Sequence, residues 1–285
     1  MTESKRVRNL RLSIVKAIPK FPNNKETKDE LEAMSLSQLL IHYFSWAYRS
    51  VSIRPREVEI EPTALKDKRW GSLKGKIDAL LEKVRNGEDL TPHLSLQAHS
   101  RGYTPAASAT GPNVDRWADK DFLLNAIGYH HFHLGERIES GGFATRTDEV
   151  VFARVTREKF TVVAIFDHSV FEPIGSEMNA ERKRLWSIFD EHVTRGAPSG
   201  SVIISSPIAT SGHPIHLVSM AQEYSWVVRE MDPKFEDREF VTSLYVDAGL
   251  EEPKNPKLEW RLNFTDLGIY EKNHKFFFVL RRGCN

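Results

Sequence analysis

The sequence is poor in cysteine and in long apolar runs. Cys284 is the only cysteine among 285 residues, so an intramolecular disulfide and a cysteine-based zinc site are both excluded. The charged start of the chain leads into no apolar segment long enough for a signal peptide, and no later segment approaches the length of a membrane span. We therefore expect a protein of the reducing cytoplasm that is neither secreted nor inserted into a membrane.

The sequence also lacks an excess of charge of either sign. It contains 40 Lys and Arg residues against 39 Asp and Glu residues, which leaves a net charge of +1. This balance gives no field that would mark the whole protein as a binder of nucleic acid or membranes. Any site for a polyanion must therefore be local.

The length of the chain exceeds that of a usual single domain. We predict a mainly helical N-terminal region with a linker, residues 1–115, followed by an α+β domain that carries the chemistry, residues 116–285. Apolar residues recur at helical spacing over 28–50, as one long or two short helices, and over 73–84. Small and turn-forming residues dominate 91–113, which is typical of a surface loop or linker.

Strand signals are concentrated in the second region. Two runs rich in β-branched and aromatic residues flank a charged tetrapeptide, which predicts a β-hairpin over 150–155 and 160–166. Further strands are predicted over 202–205, 258–264 and 275–280, and helices over 119–126, 177–192, 214–231 and 236–246. The fold class is therefore α+β: a small antiparallel sheet built on the hairpin and flanked by helices, with an α+β C-terminal extension.

The segment 129–137 holds three of the 11 histidines within four positions. If it is extended, His131 and His133 project from one face, because side chains alternate with period two, while His130 and Phe132 take the other. Two imidazoles on one face can act as an acid and a base or as metal ligands. The alternative is that one histidine is a core residue and the others are solvated.

The register of the hairpin decides which polar side chains meet. Alternate residues from Phe160 to His168 share one face by parity. A turn of three residues pairs Thr156 with Phe160 and places Asp148 opposite His168, whereas a turn of two residues places Asp148 opposite Asp167. Only the first arrangement lets this carboxylate orient an imidazole.

Two arginines share the parity of Asp148 on the first strand of the hairpin. Arg146 and Arg154 can hold a phosphate by paired guanidinium donors. A solvated sheet face with ordinary ion pairs is the alternative for each arginine alone. Their placement beside the histidines favours a functional role.

The residues of this region resemble a known family. His133-Leu134-Gly135, then residues 146–153, a charged turn and residues 162–168 are similar to the core of the RelE/ParE-type bacterial toxins. In the ribonuclease branch of that family, basic residues on the sheet bind the scissile phosphate and supply acid–base chemistry without a metal. By position, the resemblance assigns these roles to His133, Arg146, Arg154 and His168. The resemblance spans residues 131–170, and the spacing from Gly135 to Arg146 is long for the family. The stretch 130–135 also resembles part of longer bacterial proteins, but this second resemblance implies no activity.

Other candidates are weaker. The small-residue loop 205–216 runs from a predicted strand into a helix, whose N-terminal N–H groups suit an anion. It lacks the glycine spacing of a phosphate-binding loop, and simple helix capping is the alternative. The candidates for substrate binding are Arg137, Asp148, Ser211 and His213.

The leading hypothesis is a metal-independent endoribonuclease of bacterial toxin or phage-defence type that needs no cofactor. In it, His131 or His133 takes the proton of a ribose 2′-OH and His168 protonates the leaving 5′-oxygen, or these two roles are exchanged. Arg146 and Arg154 stabilise the charge of the phosphorane. RNA is the expected substrate, and an antitoxin or regulatory protein is a possible partner. The alternatives are a metal-dependent hydrolase or nuclease that uses His131, His133, Asp167 and His168, and a non-catalytic regulatory or scaffold protein.

Overall fold

The computed structural model describes residues 3–105, 119–172, 177–198, 200–202 and 207–284. Its α-helices are α1 (Lys5–Ala17), α2 (Lys25–Ala33), α3 (Leu36–Ala47), α4 (Pro62–Leu65), α5 (Trp70–Asn86), α6 (Leu96–Ser100), α7 (Phe122–Ile127), α8 (Ala180–Thr194), α9 (Ile215–Met231) and α10 (Arg238–Ala248). Its strands are β1 (Glu57–Ile60), β2 (Tyr129–His133), β3 (Glu149–Val155), β4 (Lys159–Asp167), β5 (Leu258–Asn263), β6 (Asp266–Glu271) and β7 (Phe276–Arg281). The predicted α+β class is confirmed. Among these helices, none has both the length and the apolarity that crossing a membrane requires.

The chain forms two compact units whose segments interleave. The first unit is built from residues 3–48, 100–105, 119–120 and 215–284. The second is built from residues 49–99, 121–172, 177–198, 200–202 and 207–214. The predicted boundary after residue 115 lies outside the described residues. The helices α3 and α9 pack together, so the first unit combines segments from both ends of the chain.

The first unit joins α1, α2, α3, α9 and α10 to the three-stranded antiparallel sheet β5-β6-β7. The apolar run 28–50 forms two helices, because Ser35 begins α3 with a capping box that it shares with Gln38. Phe44 and Tyr224 pack edge to face, with ring centroids 5.2 Å apart. The strand β6 lies between the two predicted late strands and pairs with both.

The second unit contains a four-stranded sheet in the order β1-β4-β3-β2. The sheet is mixed rather than antiparallel as predicted, because β1 pairs with β4 in parallel register. Both faces are covered. One carries apolar residues that pack with α5, and the other carries residues that pack with α7 and α8.

The hairpin has a different turn from the one that puts Asp148 opposite His168, yet these residues still meet. Thr156 and Lys159 close a turn of two central residues, with Thr156 N–H donating to the carbonyl of Lys159 at 2.9 Å. A bulge then shifts the register by one residue between Phe152 and Ala153. Beyond it the backbone N–H of His168 donates to the carbonyl of Asp148 at 3.1 Å.

The bulge also corrects the parity argument. Phe160 and Val162 belong to the apolar cluster of one face, whereas Ala164 and Phe166 belong to that of the other. An extra residue in β4 breaks the alternation, so the face leading to His168 is not that of Phe160. Of the predicted strand 202–205, Val202 is 88% exposed rather than buried, and residues 203–205 lie outside the described residues.

Candidate functional site

Three imidazoles meet where β2 ends beside the start of β3 and the end of β4. The ring centroid of His133 lies 5.2 Å from that of His168 and 6.3 Å from that of His131. The ring of Phe171 lies 4.6 Å from His131 and 5.6 Å from His168. The structure thus brings together three of the predicted residues, and we call them the histidine cluster.

The alternation of β2 explains why two of these rings share a face. Residues 129–133 form an extended strand, so His131 and His133 project to one side. Phe132 projects to the other side and is fully buried in the cluster that includes Val151 and Phe160.

The turn between α7 and β2 sets the position of His131. Gly128 ends α7 with a φ of 73°, a left-handed conformation that glycine adopts at little cost. At the other end of the helix, Asp121 accepts a hydrogen bond from the backbone N–H of Leu124 at 2.9 Å. The charge of Asp121 favours protonation of the His131 imidazole, so the start of α7 contributes a carboxylate to the surroundings of the cluster.

Arg146 adds a guanidinium. Its Nη1 donates to the carbonyl oxygen of Leu94 at 3.0 Å, and its guanidinium carbon lies 6.0 Å from the centre of the Phe143 ring. Thr147, the next residue, accepts a hydrogen bond from the backbone N–H of Leu134 at 3.1 Å. These bonds tie the segment that carries Arg146 to the end of β2.

A second anchor is a buried histidine from a distant part of the chain. Nδ1–H of His93 donates to the carbonyl oxygen of His133 at 2.8 Å, and Nζ of Lys83 donates to Nε2 of His93 at 3.1 Å. His93 belongs to the 3-10 helix Thr91–His93, directly before the residue whose carbonyl holds Arg146. This short helix therefore positions two members of the site.

Burial and charge keep His131 and His133 neutral. Burial lowers the pKa of His133 to about 3, and the neighbouring charges of Arg146, His131 and His168 act in the same direction. The pKa of His131 is also lowered, first by burial and then by His168 and Arg146, with Asp121 opposing the shift. At neutral pH both rings are therefore in the neutral form.

The three histidines of the cluster and Arg146 differ in exposure. His133 is only 3% exposed, His131 and Arg146 are half-buried, and His168 is exposed. A solute that approaches from solvent meets His168 first. The arrangement can bind an anion at Arg146 and exchange protons at the two more accessible imidazoles.

Arg154, which the sequence placed with the histidines, lies at the opposite end of the sheet. It pairs with Tyr129 at the start of β2, whereas His133 at the end of β2 pairs with Val150. Four residues along a strand correspond to about 14 Å. The structure therefore does not bring Arg154 together with the histidine cluster, because a common face does not bring together the two ends of a strand.

Among the described residues, neither the guanidinium of Arg137 nor the carboxylate of Asp148 forms a hydrogen bond with the histidine cluster. Arg137 is exposed in the excursion between β2 and β3, where its carbonyl accepts from the backbone N–H of Thr145 at 2.8 Å. Asp148 meets His168 through its backbone carbonyl, and its side chain is exposed. The carboxylate of Asp148 therefore does not orient the imidazole of His168 through any of these hydrogen bonds.

Ser211 and His213 form a pair of their own. The Ser211 hydroxyl and Nδ1 of His213 lie 3.0 Å apart, with the serine exposed and the histidine buried. The carbonyl of Gly212 accepts a hydrogen bond from Nδ2 of Asn125 at 3.0 Å. The described part of this loop is thus attached to α7, and residues 205 and 206 of the predicted loop lie outside the described residues.

Asp167 does not complete a metal site. Its Oδ1 accepts the backbone N–H of Ser169 at 3.0 Å and the hydroxyl of the same residue at 2.5 Å, while its Oδ2 lies 3.6 Å from Nη1 of Arg69. Within the ranges that the structure describes, no three His, Cys, Asp or Glu side chains are arranged to hold a metal ion. Asp167, the carboxylate proposed as a metal ligand in the alternative hypothesis, therefore interacts with Ser169 and Arg69 instead.

Sequence reasoning missed two contributors to the site. Asp121 carries a helix-start signal but no sign that its charge acts on His131, which follows from the reversal at Gly128. His93 precedes His133 by 40 positions, and no local pattern links them.

Comparison with protein-family models, with curated protein sequences and with solved structures finds no match to this chain. The resemblance to RelE/ParE-type toxins therefore stays a prediction that depends on the residues alone.

Proposed function

We propose that this protein is a metal-independent ribonuclease that cleaves RNA by general acid–base catalysis. The observation that supports the proposal is the convergence of His131, His133 and His168 near Arg146. Imidazoles suit proton transfer near neutral pH, and a guanidinium suits a phosphate. The composition of the cluster therefore matches the requirements of phosphodiester transfer.

In the proposed reaction His131 is the base. Its lowered pKa keeps it neutral at pH 7, so it can accept the proton of a ribose 2′-OH as the 2′-oxygen attacks phosphorus. Exposed at the rim of the cluster, His168 gives a proton to the 5′-oxygen as the P–O5′ bond breaks. The products are a 2′,3′-cyclic phosphate and a free 5′-OH, so protons and charge balance without a co-reactant.

Arg146 stabilises the charge of the transition state. Among the described residues its only hydrogen bond runs from Nη1 to Leu94, which leaves Nη2 and Nε for phosphate oxygens. His133 has a different role, since its pKa of about 3 removes it from proton exchange near neutral pH. As a neutral, buried ring 5.2 Å from His168, it positions the acid.

The biological setting remains a matter of resemblance. The likeness to RelE/ParE-type toxins suggests a toxin or phage-defence role and a neutralising partner protein, and these follow from the same residues as the proposed chemistry. The metal-dependent alternative is less well supported, because Asp167 is engaged by Ser169 and Arg69.

The test measures cleavage of a single-stranded RNA and of DNA of the same sequence by the full chain in excess EDTA. We expect RNA cleavage that leaves 2′,3′-cyclic phosphate ends, and no cleavage of DNA, which lacks the 2′-OH. His168→Ala should lower the rate by about 10²–10⁴-fold, the usual contribution of a positioned acid. Arg146→Lys keeps the charge but loses the planar fork and should also slow the reaction.

Arg157→Lys is the matched control for Arg146→Lys, because Arg157 lies in the hairpin turn at the other end of the strands. It should cleave at the wild-type rate. Activity that disappears with EDTA and returns with zinc or manganese would favour the metal-dependent hydrolase. Absence of RNA cleavage, or full activity in the His168→Ala variant, would reject the proposal and favour the scaffold hypothesis.

A further inference from the structure

A second polar group lies at the end of the sheet that is remote from the histidine cluster. Tyr129 and Arg154 are direct neighbours on β2 and β3. The ring of His192, near the end of α8, lies 6.3 Å from the ring of Tyr129. The charge of Arg154 acts on both the Tyr129 hydroxyl and the His192 imidazole, so the three side chains lie close to one another.

The hydroxyl of Tyr129 is buried without a partner. The residue is 2% exposed, and its oxygen has no hydrogen-bond partner among the described residues. Burial raises its pKa to about 12, so the hydroxyl keeps its proton and remains a donor. A buried donor without an acceptor costs free energy, which native proteins generally avoid.

Nδ1 of His192 is also buried and without a hydrogen bond in the same part of the structure. The nearest carboxylate oxygen, Oε1 of Glu61, lies 3.7 Å away, beyond hydrogen-bond distance. Burial, followed by the charge of Arg154, lowers the pKa of this imidazole. A neutral ring has one N–H to donate to a ligand.

The acidic residues nearby are already paired with cations. Glu61 accepts from Nη1 of Arg195 at 3.0 Å, and Glu59 bonds to Lys159. Arg154 is exposed and, within the described ranges, makes neither a hydrogen bond nor an ion pair. The group therefore presents one unpaired positive charge next to the unused donor of Tyr129.

We propose that Arg154, Tyr129 and His192 bind a phosphate group. The guanidinium offers a fork to two oxygens, and the phenol and the imidazole offer donors from separate elements. A tetrahedral phosphate can turn different oxygens towards three such directions, whereas the two oxygens of a carboxylate lie in one plane. The phosphate group comes from a free nucleotide or from an RNA backbone, and the site is distinct from the histidine cluster.

The test follows the His192 ring signals of the full chain by NMR while inorganic phosphate, AMP or a DNA oligonucleotide without terminal phosphates is added. The DNA supplies a phosphate backbone that the proposed ribonuclease does not cleave. We expect inorganic phosphate to shift these signals and to raise the pKa of His192, because an anion favours the imidazolium. Acetate at equal ionic strength should bind more weakly. A response to AMP but not to the oligonucleotide assigns the site to a terminal phosphate, and the reverse assigns it to the backbone.

Variants test which side chains bind the phosphate. Arg154→Gln should weaken phosphate binding by about 10-fold or more, since bonds to charged groups are the stronger ones. Tyr129→Phe preserves the ring and should weaken binding about five-fold. Arg157→Gln removes a charge from the same hairpin and should leave the affinity within two-fold. Equal losses in the Arg154→Gln and Arg157→Gln variants, or an unresponsive His192, would overturn the proposal whether or not the protein cleaves RNA.

Discussion

The low pKa of His133 makes the stability of the second unit depend on pH. In the folded state this ring is 3% exposed and has a pKa of about 3, whereas in the unfolded chain its pKa returns to about 6.5. Below pH 6.5 the unfolded state therefore binds more protons. The stabilisation is complete above pH 6.5 and is lost progressively as the pH falls towards 3.

The size of the effect follows from the two pKa values. Between pH 7.5 and pH 5, protonation of the unfolded state should lower the free energy of unfolding by about 2 kcal/mol through His133 alone. His131, whose pKa is also lowered, adds to this loss in the same direction. Urea denaturation of the wild type and of His133→Phe at the two pH values measures the contribution of His133.

The comparison contains its own control. Any change in packing caused by His133→Phe is present at both pH values and cancels when the pH dependence of the two proteins is subtracted. We expect the wild type to lose about 2 kcal/mol more than the variant between pH 7.5 and pH 5. An equal loss in both proteins would refute the assignment of His133 as a buried neutral ring.

Two further pairs of substitutions, each a test variant and its control, probe the framework of the second unit by urea denaturation. Asp67→Asn removes a carboxylate that is 3% exposed and bonded to two arginines, and it should lower the free energy of unfolding by about 3 kcal/mol. The control is Asp78→Asn, which removes a carboxylate that is 52% exposed in an ion pair with Lys74. It should lower the free energy of unfolding by less than about 0.5 kcal/mol. Gly135→Ala would place Cβ 2.0 Å from the carbonyl oxygen of Thr145 and should destabilise by about 1–3 kcal/mol, whereas Gly75→Ala, with open space in α5, should stabilise by about 0.5–1 kcal/mol. A small cost of Asp67→Asn, or a neutral Gly135→Ala, would contradict the respective argument.

Local patterns were sufficient to predict the elements around the site. For β2 the alternation was predicted only on the condition that the segment is extended, and the end of α7 follows from Gly128, which adopts a left-handed conformation. The two runs of β-branched and aromatic residues predicted the hairpin of β3 and β4, because such side chains suit a pleated, buried surface. These features depend on residues that are close in sequence.

Features that depend on distant parts of the chain were not predictable. The bulge in β4 has no marker in the sequence such as a glycine. The turn is one residue shorter than the one that pairs Asp148 with His168, and the bulge shifts the register back by one residue, so Asp148 still lies beside His168. The parity of residues along β3 placed Arg154 on the same face of the sheet as His131 and His133. It did not give the distance along the strand between Arg154 and these histidines. The support of His133 by His93 joins positions that only tertiary packing brings together.

Position within the cluster gives three chemically identical side chains different roles. A ring that is sealed from water and lies near other positive groups loses its affinity for protons, and His133 is the limiting case, with a pKa of about 3. Such a residue contributes to structure and to the orientation of its neighbours. In the proposed reaction, exposed His168 has the access to substrate that a proton donor needs. Stability and turnover should therefore separate: changes at His133 appear mainly in the pH dependence of unfolding, and changes at His168 mainly in the rate.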